Sequence, residues 1–85
     1  MKASDAKKIT ESVLISNARQ VRGEEIAMLE DEIKRAAESG SYFIEIGDDP
    51  PAEVKTYFRL MGYTCDILNP PPLDEYIIMW RNPED

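Results

Sequence analysis

Residues 42–68 read YFIEIGDDPPAEVKTYFRLMGYTCDIL, and this stretch decides the fold. It opens on Tyr42-Phe43-Ile44-Glu45-Ile46, where aromatic and β-branched residues predict a strand. Tyr42, Ile44 and Ile46 fall on one side of that strand, Phe43 and Glu45 on the other. Gly47-Asp48-Asp49 supplies a turn. Pro50 and Pro51 then suit the opening of a helix, where a missing N–H costs little, and Asp49 is placed to cap it. Val54, Tyr57, Phe58 and Met61 recur at i, i+3, i+4 and i+7, which predicts one apolar helix face. Gly62 stops the helix. Tyr63 to Leu68 reads as a second strand, with Tyr63, Cys65 and Ile67 on one side.

Downstream, Asn69-Pro70-Pro71-Pro72 cannot continue a paired strand, because proline has no N–H to donate. It reads as a stiff connection, or as a polyproline II surface for an aromatic groove. Tyr76-Ile77-Ile78-Met79-Trp80 is a third strand, and Arg81 to Asp85 is a polar tail. Upstream, Ser39–Gly40 ends a helical stretch, with Gly40 as its left-handed terminal residue. Ile26, Leu29, Ile33 and Ala36–Ala37 form a stripe at spacings of three and four. Ile9, Val13 and Ala6 form another, with Leu14, Ala18 and Val21 on a displaced line, and Ser4 can cap its start. The two stripes are out of phase. Gly23 lies where the phase changes, so either two helices meet there or one long helix shows different faces to different partners.

The predicted fold is α+β: an N-terminal helix or helix pair, then β-α-β-β. The strands would form a three-stranded mixed sheet covered on one face by helices. The first two strands, joined by a helix, can pair in parallel through a right-handed crossover, and the last two form an antiparallel hairpin. The organisation expected is an N-terminal helical segment over 1–22, a possible assembly arm, and a small α+β domain over 23–85. Two helices suffice to cover such a sheet. The stripe within 1–22 is therefore surplus and either folds back on the body or packs on another chain.

The chain has 85 residues, enough for one small domain with a marginal core, which favours oligomer formation. Its net charge is −7, which disfavours phosphate backbones as partners. The charge is uneven. Residues 1–22 hold five Lys/Arg against two Asp/Glu, or +3, and the remainder five against fifteen, or −10. A basic segment joined to an acidic body can attract the body of a neighbouring copy, or an acidic partner surface. The single cysteine precludes an internal disulfide. No apolar run reaches membrane-spanning length and no signal-peptide core follows Met1, so synthesis in the cytosol is expected, with no membrane partner.

The residues Ile33-x-x-Ala36-Ala37-x-x-Gly40, Ile44-x-Ile46, Leu60-x-Gly62-Tyr63 and Ile78-x-Trp80 follow an N-terminal Met1-Lys2-Ala3-x-x-Ala6-Lys7. Together they resemble small phage and prophage α+β proteins with a helical N-terminus and a closing I-x-W strand. The resemblance spans most of the chain. It implies a viral context: a minor virion protein, a head- or tail-fibre base, or an accessory protein that blunts host defences. The setting so implied is the host cytoplasm, with possible incorporation in a virion. Cys65, where the group tends to a valine-like residue, and the proline-rich Asn69–Pro72 loop depart from the pattern. The motifs are fold signals and carry over no catalytic residue.

Catalytic equipment is sparse. There is no histidine, which removes the commonest general base and metal ligand near neutral pH. No nucleophile elbow, phosphate loop or zinc motif occurs. Cys65 alternates with Tyr63 and Ile67 and reads as a core residue. Asp48–Asp49 with Glu45 nearby could hold a cation, but lacks calcium-loop spacing and reads as turn and cap. No enzyme activity, cofactor or metal is expected.

The expected function is a non-enzymatic protein-binding or assembly module, a minor virion or decoration protein that forms homo-oligomers. One alternative is an acidic inhibitor of a host protein, and another is an oligomer that sequesters a small molecule. The candidate interface is Ile9, Val13, Leu14 and Val21, with Phe43, Ile77, Met79 and Trp80 on the body. The candidate acidic face is Glu30, Asp31, Glu32, Asp48 and Asp49.

Overall fold

A computed structural model describes residues 1–80. The polar tail read over Arg81 to Asp85 lies outside the described residues. The elements run α1 (Ala3–Glu38), β1 (Phe43–Ile46), α2 (Ala52–Leu60), β2 (Thr64–Asn69) and β3 (Glu75–Met79). The fold is α+β, with a long N-terminal helix, a second helix and a three-stranded sheet.

The sheet corrects the expected mixed pairing: every pair is antiparallel, in the order β1-β3-β2. β1 and β2 do not touch, because β3 runs between them. The last strand is the most continuously apolar of the three, and the central position gives it partners on both sides. Antiparallel pairing is also slightly more stable per residue than the parallel alternative. Ile44 lies opposite Ile78, and Ile78 opposite Cys65, so these three share one side of the sheet. Phe43, Met79 and Thr64 share the other.

The core joins helix residues Ala18, Ile26, Ile33, Val54, Tyr57 and Phe58 to Ile44 and Ile78. Ile15, Leu29, Ile46, Tyr63 and Trp80 pack around it. Phe58 links two further rings edge to face, Tyr57 at 5.1 Å and Tyr63 at 5.4 Å.

α1 is two helical segments fused across a kink, with Arg22 out of helical geometry (φ −129°, ψ 30°). The phase change read from the sequence thus falls one residue before Gly23. Both helices end on a left-handed glycine, Gly40 (φ 86°) and Gly62 (φ 100°). Ser41 N–H donates to Ala36 O at 2.9 Å, and Tyr63 N–H to Phe58 O at 2.9 Å. These bonds close the last turns and aim the chain into β1 and β2.

Two expected caps are absent. α1 begins after Lys2, ahead of Ser4, and has no side-chain cap. α2 begins after Pro51, also without one. Asp49 instead pairs with Lys55 Nζ at 2.5 Å. The charged partner one turn into α2 outcompetes the backbone N–H groups for its carboxylate.

Three substitutions test this packing. Phe58→Ala removes a fully buried ring and should cost about 3–5 kcal/mol in urea unfolding. Gly23 has an ordinary φ, and a β-carbon added there would meet only open space. Gly23→Ala should therefore stabilise by roughly 0.5–1 kcal/mol, whereas Gly62→Ala should destabilise.

Candidate functional site

Tyr57 fixes the geometry of the N-terminal helix. Its ring is fully buried in the crook of the α1 kink. The hydroxyl accepts a hydrogen bond from the Arg19 guanidinium and donates to Glu30 Oε2 at 3.2 Å. Arg19 also lies over the ring, 4.9 Å from its centroid, and stands 3.9 Å from Glu30. Arg19 precedes the kink and Glu30 follows it, so one phenol holds both limbs. Arg22, at the kink itself, donates to Glu25 at 3.2 Å and faces Glu53 of α2 at 3.8 Å. Burial pushes the Tyr57 phenol above the ordinary tyrosine range, the Glu30 charge adds to the rise, and Arg19 opposes it.

The limb before the kink leaves the body. Ile15 and Ala18 pack on the core, but across residues 1–14 only Glu11 is half-buried and every other residue is exposed. Ile9 is 55% and Val13 52% exposed. At 3.6 residues per turn they lie on the side of the helix roughly opposite Ala18. Leu14 and Val21 are exposed too, but they lie about 40° and 60° around the helix from Ala18, towards the side that faces the body. The helix therefore shows apolar residues in two directions, which is why its stripes read as displaced. A helical limb of about a dozen residues is marginal in water unless a face is packed.

The body residues of the candidate interface separate. Phe43 is exposed, and Ile77 and Met79 are half-buried. The strand register places these three on the same side of the sheet. Trp80 lies on the opposite, core side, edge to face with Tyr63 at 6.1 Å.

The acidic set also divides. Glu30 is committed to Tyr57, and Asp31 pairs with Arg35 at 2.8 Å. Glu32, Asp48 and Asp49 come together with Glu25 around a depression of about 350 Å³. Met28, Leu29, Ile46 and Pro51 line it with apolar surface. Met28 is 66% exposed although it flanks the core stripe of α1. Sequence periodicity does not single out Met28, because it falls beside the Ile26–Leu29–Ile33 line. Its partners from the β1–α2 side of the depression lie 18 or more positions away.

A second cleft of about 230 Å³ lies between α2 and β2, where Lys55, Arg59, Cys65 and Tyr76 meet. Burial pushes the Cys65 thiol up, against the opposing charges of Arg59 and Lys55, so it stays protonated near neutral pH. Among the described residues no group of three or more Cys, Asp or Glu side chains is arranged to hold a metal ion. Among the same residues no helix is long and apolar enough to cross a membrane.

Comparison with protein-family models, with curated proteins and with solved structures found no match.

The Tyr57 network gives a signed pH prediction. Because its folded pKa is raised, the stability it contributes is fully present below the unfolded value of about 10. That contribution is lost as pH rises through the folded value. Alkaline unfolding should therefore steepen above about pH 10, and Tyr57→Phe should flatten that limb. At neutral pH the same substitution should cost about 0.5–1.5 kcal/mol, for one hydroxyl's hydrogen bonds.

Proposed function

We propose that the chain is a non-enzymatic assembly module that binds protein through its N-terminal limb, self-associating or joining a larger assembly. The observation that carries this reading is the outward pair of Ile9 and Val13, with Leu14 and Val21 also exposed on another side, on a helix whose first three turns bury no apolar side chain on their own chain. A helix of that kind gains its stability from packing, and the Tyr57–Arg19–Glu30 clamp holds it out from the body in one direction. The stripe needs no chemistry to act. The acidic body and basic limb favour partners of mixed charge over nucleic acid. The virion setting, as a minor structural or decoration protein, rests on the phage-protein resemblance of the motifs alone.

The test is solution mass by light scattering. Removal of residues 1–22 would also take Ala18 and Arg19 from the folded body, so substitution is the cleaner probe. Ile9→Asp with Val13→Asp places charge on the stripe without touching the core. The wild-type chain should be an oligomer, and the double variant a folded monomer with unchanged far-UV circular dichroism from the body. A monomeric wild type at all accessible concentrations would overturn self-association.

A further inference from the structure

The core lies on one side of the sheet, and the strands carry all their charge on the other. The core cluster takes Ile44 and Ile78 from the sheet, with Ile46, Tyr63, Cys65 and Trp80 packed against it. Phe43, Ile77 and Met79 belong to neither group, and the register puts them together on the opposite side. We propose that this open side is a docking surface for a basic amphipathic helix of a different protein. The inference is independent of the N-terminal limb and uses none of its residues.

The charge pattern names the occupant. The charged residues of the strands are Glu45, Asp66 and Glu75, all acidic. Ile77 lies opposite Glu45 in β1 and opposite Asp66 in β2, so a carboxylate flanks it on each side. Glu75, two residues before Ile77, lies on the same side of the sheet. Among the described residues no Lys or Arg pairs with any of the three. Asp66 accepts a hydrogen bond from the Ile67 N–H at 3.2 Å, and Glu75 accepts one from Asn69 at 3.0 Å. Both donors are neutral, and Glu45 and Asp66 are exposed. The result is an apolar strip of Phe43, Met79 and Ile77 bordered by carboxylates that no described cation offsets.

The dimensions suit one helix. Neighbouring strands lie about 4.8 Å apart, so β1 and β2 stand about 10 Å apart across β3, roughly the diameter of a helix. A helix laid along β3 sets its apolar stripe on Ile77 and Met79 and brings flanking lysines or arginines to Glu45 and Asp66. It adds a helical layer to the second face of the sheet, a common way to bury one. The same face on a second copy is a poor occupant, because stacking would set like charges against each other. The limb of a second copy is no better: Asp5 accompanies Lys2 on its outward side, and Lys7 pairs with Glu11. Nucleic acids and anionic membranes carry the wrong charge.

The test is fluorescence anisotropy of a labelled helical peptide of leucine and lysine, its apolar stripe flanked by lysines, titrated with the full chain at physiological salt. Binding should saturate, and the matching leucine–glutamate peptide should not bind. Glu45→Lys with Asp66→Lys should weaken binding about tenfold or more, and Phe43→Ser about threefold or more. Glu24→Lys with Glu32→Lys makes the same charge change at exposed positions of α1 and should leave binding within about twofold. Circular dichroism checks that each variant is folded, and Glu45→Gln with Asp66→Asn, a milder pair, should weaken binding in the same direction. Equal weakening by the strand pair and the α1 pair would show attraction to an acidic chain at large and overturn the proposal. Failure of the lysine peptide to bind would overturn it too. If Phe43→Ser instead dissociates a wild-type oligomer in light scattering, the face belongs to a second copy and the foreign helix is wrong.

Discussion

One buried phenol carries the architecture. Tyr57 is fixed by α2, and its hydroxyl is shared between Arg19 before the α1 kink and Glu30 after it. Without that link the two limbs of α1 would meet only at Arg22, a residue already out of helical geometry. With it, Ala18 before the kink and Ile26 after it both reach the core. The polar bonds here contribute specificity of angle more than net stability, since a typical hydrogen bond nets only about 1 kcal/mol. Apolar burial of Tyr57, Phe58, Ile26, Val54 and Ile78 holds the body together.

The same clamp explains why a small domain displays a helix it does not cover. α1 bends at Arg22 and packs on α2 and β1, while residues 1–14 stay exposed apart from Glu11. The body end of that limb is anchored at Ala18 and Ile15, and its outer turns are not. A flexible tail would lose much of its binding energy to ordering on contact. A helix held at one end by a half-buried network presents its exposed residues already oriented.

Much of this was legible in the sequence. The alternation in Phe43–Ile46 and Thr64–Ile67, the i, i+3, i+4 spacing of Val54, Tyr57 and Phe58, and the terminal glycines Gly40 and Gly62 all report local physics. They place the elements nearly to the residue. The sheet order was not legible, because pairing is decided by which strand benefits most from two neighbours, and that is a comparison among distant segments. β3, with Ile77, Ile78 and Met79 in succession, took the centre and displaced the parallel pairing that the β1–α2–β2 connection permits. Ser4 and Asp49 look like caps, yet Lys55 captured Asp49 and the α1 start needed no cap. Of the candidate site, the outward stripe was visible as surplus apolar surface. The link from Arg19 to Tyr57 spans 38 positions and leaves no periodic trace. The gathering of Glu32, Asp48 and Asp49 around Met28 is likewise a product of the folded chain.

The central claim is that residues 3–14 are packed by another protein surface when the molecule is in its working state. Hydrogen–deuterium exchange of their backbone amides, measured on the full chain across a wide concentration range, addresses it directly. Packing on a second copy predicts that protection of the amides over 3–14 rises with concentration. Fast exchange over 3–14 at every concentration, beside a well-protected Tyr57 region, would contradict self-packing and leave the limb a helix without a partner of its own kind.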